Sequence, residues 1–145
     1  MKKQISSALL GLALTLTVVV AASARSARAV RVQIPFDFVA GERQMPAGLY
    51  SVRRVNSGTD STLLIRSEDG AASVVVMTNT GGAPAPRASL GFRQYGERYF
   101  LAEVSVPGAS AVREVPKAAG EKRVEREFVA RTGAPGKVTV VGSVQ

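Results

Sequence analysis

Apolar side chains fall at every second position at Val30, Val32, Ile34, Phe36 and Phe38, with Arg31, Gln33 and Asp37 between them. Successive side chains of a strand point to opposite faces, so this alternation predicts a strand with one buried face. Pro35 has no N–H for a ladder and marks the strand as an edge or a bulged one. Residues 41–48, GERQMPAG, interrupt the alternation. Pro46 presets one turn dihedral and Gly48 suits a tight reversal, which predicts a loop. Residues 49–55 then read as a returning strand with Tyr50 and Val52 on one face.

The same grammar repeats downstream. Residues 62–66 predict a short strand, Glu68-Asp69-Gly70 a hairpin turn, and residues 73–78, SVVVMT, a β-branched return. NTGGAPAP at 79–86 is too rich in Gly and Pro to hold a ladder and reads as the mobile loop of the domain. A further hairpin spans residues 89–106, with Gly96-Glu97 as its two-residue turn. Leu90 and Phe92 alternate on the way in, and Phe100, Ala102, Val104 and Val106 share a face on the way back. Residues 110–115, SAVREV, read as another short strand.

Composition shifts at Lys117. Residues 121–127 carry six charges that sum to zero, Val124 and Phe128 stand four apart, and Gly133 is placed as a stop. That spacing predicts a short, mostly solvated helix pinned by its apolar pair. KVTVVGSV at 137–144 reads as a last strand. Six to eight short strands with one late helix imply an all-β, antiparallel chain, either a β-sandwich or a small barrel. Residues 30–116 form the β-rich part, and 117–145 pack on it or extend it.

The first 29 residues follow another logic. Met-Lys-Lys precedes an apolar run and then small residues, which is the pattern of a signal peptide. Ala22-Ser23-Ala24 and Ala27-Arg28-Ala29 both fit a signal peptidase, so cleavage is expected after Ala24 or Ala29. The alternative is an uncleaved anchor, the one route by which a membrane contact is expected, since residues 5–22 approach the length of a span. Ser6, Ser7, Gly11, Thr15 and Thr17 within the run favour cleavage. Export implies a periplasmic or extracellular address.

Charge changes the picture less than its total suggests. The full chain is +8, but removal of Lys2, Lys3, Arg25 and Arg28 with the leader lowers it to +4. Nucleic acid is not expected as a partner of an exported chain. Envelope polysaccharide or another envelope protein is, and a basic surface would favour anionic ones. The Arg53-Arg54 doublet lies on a strand, so its two side chains diverge.

With no histidine and no cysteine, the commonest metal ligands, the usual general base and the best soft nucleophile are missing. Neither Gly-x-Ser-x-Gly nor Ser-x-x-Lys occurs. TGAPGKVT at 132–139 has the wrong glycine spacing for a phosphate loop and leads into a strand. No metal or cofactor is expected. A carboxylate-dependent hydrolase would draw on Asp37, Glu42, Glu68, Asp69 or Glu103, each more simply a solubilising residue. The binding candidates are Tyr95 and Tyr99 beside the hairpin turn, as a platform for sugar rings, with Arg93 and Arg98 for anionic groups. The simpler reading of the two tyrosines is packing across the strands.

IPFDF, MPAGLYSV, LGFRQYGERYFLAEV and the charged segment after REVPK together resemble a family of small, secreted proteins numerous in soil bacteria of the acidobacterial type. Met45 stands where that family more often has Leu. The resemblance implies secretion and one β-rich domain, and it carries over no catalytic residue. These observations lead to an exported, non-catalytic β domain that binds or assembles in the envelope, with a carbohydrate or polyanion binder as the alternative.

Overall fold

The computed structural model describes residues 29–55 and 61–145. Except for Ala29, the expected signal segment lies outside the described residues. Among these, the chain is mostly β, in two sheets with one C-terminal helix, and the arrangement fits a β-sandwich. In the first sheet β12 (Ser143–Val144), β1 (Val30–Ile34), β4 (Gly48–Arg54), β5 (Thr62–Ser67) and β6 (Ser73–Met77) lie side by side in that order, all antiparallel. In the second, β11 (Gly136–Val141), β8 (Ser89–Tyr95), β9 (Arg98–Ser105), β10 (Arg113–Glu114) and β7 (Asn79–Thr80) follow one another. The hairpin of β2 (Phe38–Ala40) and β3 (Arg43–Met45) joins this sheet through a parallel contact of Val39 with Phe100 on β9.

Among the described residues there are twelve strand segments where six to eight are expected, for identifiable reasons. The first alternating stretch is two strands: β1 ends at Ile34, Pro35 cannot continue the ladder, and β2 enters the other sheet at Phe38. Alternation persists through the corner, so the pattern alone reads as one strand. Residues 41–48 contain β3, whose only inward side chain is the buried Met45. NTGGAPAP begins in a ladder after all: β7 pairs with β10, and the Gly81 N–H donates to the Val112 carbonyl at 2.8 Å.

The hairpin turn at Gly96-Glu97 forms as expected, with Gly96 at φ 64°, a conformation that favours glycine. The face expected on β9 does not. Phe92 pairs with Leu101 but Gly91 pairs with Glu103, so a bulge shifts the register at Ala102. Leu101 and Val104 therefore face the core, whereas Phe100 joins Arg93 and Tyr95 on the other side of the sheet.

The chain closes with a second sheet change. β11 pairs β8, and one residue later β12 pairs β1. Gly142 makes the corner. A Cβ there would lie 2.5 Å from the Arg31 carbonyl oxygen, closer than real atoms approach.

Between the sheets Ile34, Phe38, Tyr50, Ile65, Leu90, Phe92, Leu101 and Val104 are almost fully buried, each contributing roughly 1.5–3 kcal/mol relative to exposure. Phe38 meets Tyr50 and Phe92 edge-on, with ring centroids 5.2 and 5.4 Å apart. The buried Tyr50 hydroxyl donates to the Pro46 carbonyl at 2.6 Å, so it enters the core without an orphaned polar atom. Burial first, then the carboxylates of Asp69 and Asp37, raise its pKa.

Candidate functional site

The four residues singled out near the hairpin turn do not share one surface. Arg93 pairs with Phe100 and Tyr95 with Arg98, while Gln94 pairs with Tyr99. Strand alternation therefore places Tyr99 on the core side and the other three on the opposite side. Tyr99 stacks on Phe36 with centroids 3.9 Å apart and planes at 17°. Arg98 is exposed, its guanidinium carbon 5.6 Å from the Phe100 ring centre.

Arg93 and Tyr95 meet the helix α1 (Ala119–Thr132) at Glu121. Arg93 Nη2 donates to Glu121 Oε2 at 2.9 Å, and its Nε donates to Oε1. The Tyr95 hydroxyl donates to Glu121 Oε1 at 3.1 Å. Arg93 Nη2 also reaches the Val115 carbonyl at 3.2 Å. Glu121 is the buried residue of the helix, and Phe128 adds an edge contact to Tyr95 at 5.9 Å. A carboxylate with this little exposure requires a cation and donors, and the trio supplies both. Burial followed by the Glu121 carboxylate pushes the Tyr95 phenol up to about 12. Burial alone would lower the Arg93 pKa; its bond to Glu121 and the carboxylate charge outweigh that and raise it. The helix is thus pinned by an ionic anchor as well as by its apolar face. A lone Glu in a charged run gives no sign of burial, so this partner escapes a reading of the sequence.

The carboxylates weighed for hydrolysis lie apart from this trio. Asp37 accepts from the Ala47 N–H at 2.8 Å, and Asp69 from the Ala71 N–H at 3.0 Å within its own turn. Glu68 pairs with Arg31 at 3.2 Å, and Glu103 with Lys137 at 2.9 Å. Glu42 stands exposed on the β2–β3 turn. Among the described residues no three metal-ligating side chains cluster.

A cleft of about 330 Å³ opens at one end of the two sheets, a volume at the small end of ligand sites. Val52 and Leu63 of the first sheet and Val104 of the second, with Val106, form its apolar lining, and the 107–110 turn forms one wall. Among the described residues its charged members are arginines. Arg54 pairs with Leu63, whose side chain is buried, so Arg54 points between the sheets; Arg113 pairs with the buried Val104 and does the same from the opposite sheet. Arg113 Nη1 donates to the Thr80 hydroxyl at 3.1 Å. Arg53 also lines the cleft, although its place beside Arg54 turns its side chain toward the outer face of the sheet. Sequence spacing separates Arg54 from Arg113 by more than fifty residues, and only the pairing of two sheets brings them to one mouth.

A second groove, of about 340 Å³, runs between α1 and the β2–β3 hairpin and contains Arg98. Arg123 shares it with Glu42 and Glu127, so its charge is mixed. Comparison with protein-family models, curated proteins and solved structures gave no match.

Proposed function

We propose that the chain is an exported, non-catalytic β-sandwich module of the cell envelope, released by its leader into the periplasm or beyond, which works by binding an anionic partner. The observation that carries this reading is the cleft between the sheets. Two arginines from different sheets converge on an apolar lining, and the charged residues among the described lining are arginines. A guanidinium presents a planar fork of donors that matches carboxylate and phosphate groups two at a time. The apolar lining excludes water and strengthens that contact. An acidic polysaccharide of the envelope supplies such groups in repeated form, and the resemblance to small secreted acidobacterial proteins supports the same location.

The test is retention of the chain from residue 30 to 145 on immobilised polyuronate compared with a neutral glucan. Retention on the acidic matrix alone, weakened by salt and lost in Arg54→Ser/Arg113→Ser, is expected. Equal retention on both matrices, or an unaffected double variant, would refute it.

A further inference from the structure

Three ladder rows cross the outer face of the first sheet from β4 over β5 to β6. Ser51, Arg66 and Ser73 form one row, and Arg53, Leu64 and Val75 the next. Thr62 and Met77 continue into the third, which Val55 completes by donating its N–H to the Thr62 carbonyl at 3.1 Å. The side chains of these rows alternate with buried ones along each strand, so all of them point away from the core. Val55, Val75 and Met77 are 48%, 56% and 72% exposed. Single exposed apolar residues are ordinary, but three gathered at one corner call for an explanation.

The corner has two further properties. β6 ends its sheet and carries no charge along SVVVM, so nothing on that strand holds a greasy surface away. Among the described residues, the charged side chains in the three rows are Arg53 and Arg66. Apolar tips are therefore flanked by cations, and Glu68, two residues beyond Arg66, is held by Arg31 at 3.2 Å.

We infer that this corner docks on an anionic lipid surface. Val55, Val75 and Met77 enter the boundary between headgroups and acyl chains, and Arg53 and Arg66 reach the lipid phosphates. An arginine lays its stem along apolar surface while its head stays at the polar layer, and attraction to such a surface grows with apolar area and with anionic charge together. A second copy is a poorer occupant, because a two-fold interface would bring the same two arginines against themselves. The inference stands apart from the cleft, whose Arg54 and Arg113 point between the sheets.

Vesicle flotation tests it, with vesicles of phosphatidylcholine alone and of phosphatidylcholine mixed equally with phosphatidylglycerol. The chain from residue 30 to 145 is used, since it holds every described element and leaves the apolar leader out. It is expected to float with the anionic vesicles and to stay behind with the neutral ones. Arg53→Ser and Arg66→Ser should each weaken partition about fivefold, Met77→Glu should weaken it at least as much, and Arg54→Ser/Arg113→Ser should leave it unchanged. Arg53, Arg66 and Met77 are solvent-facing, and circular dichroism verifies that each variant keeps its strands. No flotation, equal flotation with both vesicles, or loss only in the Arg54/Arg113 variant would overturn the inference. So would a stable dimer in sedimentation that Met77→Glu dissolves, since a second copy would then occupy the face.

Discussion

Arg93 and Glu121 stand 28 positions apart in sequence, yet Arg93 Nη2 lies 2.9 Å from Glu121 Oε2, with the carboxylate almost wholly shielded from solvent. This pair joins the C-terminal helix to the outer side of the β8–β9 hairpin. Removing one member leaves the other charged and buried, whereas replacing both with apolar residues does not. Glu121→Ala should therefore cost about 3 kcal/mol in urea unfolding, and Arg93→Met/Glu121→Leu should recover most of the loss. If the single change were neutral, the helix would not be anchored by this contact.

The Tyr95 phenol, also bound to Glu121, titrates near 12 in the folded chain against about 10 when unfolded. A folded value raised above the unfolded one gives a stabilising contribution that is intact below about pH 10 and disappears as pH climbs through about 12. Unfolding free energy should fall across that window. Tyr95→Phe should flatten the decline without abolishing it, because the Tyr50 phenol is shifted in the same direction. An unchanged slope in Tyr95→Phe would contradict the assignment.

Gly142 turns the chain from one sheet into the other, with no room for a side chain beside the Arg31 carbonyl. Gly142→Ala should force the final strand away from β1 at a cost of about 1–3 kcal/mol, as overpacking does elsewhere. Hydrogen exchange gives the local readout: the Gln145 N–H, bonded to the Ala29 carbonyl at 3.0 Å, should lose protection. Retained protection there would mean that the corner tolerates a methyl group.

Phe36 and Tyr99 stack at 3.9 Å, which makes Tyr99 part of the packing between the sheets. A double-mutant cycle with Phe36→Ala and Tyr99→Ala should return a coupling of about 1 kcal/mol. Additive losses would show that the two rings stabilise the fold independently of each other.

Much of the fold was legible because alternation and turn chemistry are local properties. Tyr50 and Val52, the Gly96-Glu97 turn and the Gly133 stop, where the Gly133 N–H returns to the Val129 carbonyl at 3.3 Å, lie where their neighbours predict. What escaped depends on partners distant in sequence. Pro35 turns a corner instead of marking an edge because β2 finds β9. Ala102 bulges because the core takes both the Phe92–Leu101 pair and the Leu90–Val104 pair from one face, and Leu101 and Val104 stand three residues apart. Glu121 looks like any solvated acid until the helix lands on Arg93. The meeting of Arg54 with Arg113 follows from sheet topology, which no doublet or spacing announces.

The proposed anion site is tested most directly by titrating an oligouronate into the isotope-labelled chain from residue 30 to 145 and following its amide resonances. Shifts centred on Arg54, Leu63, Val104 and Arg113 are expected, shrinking as salt is added. Shifts centred instead on Arg98 and Tyr99, or none at all, would contradict binding between the sheets.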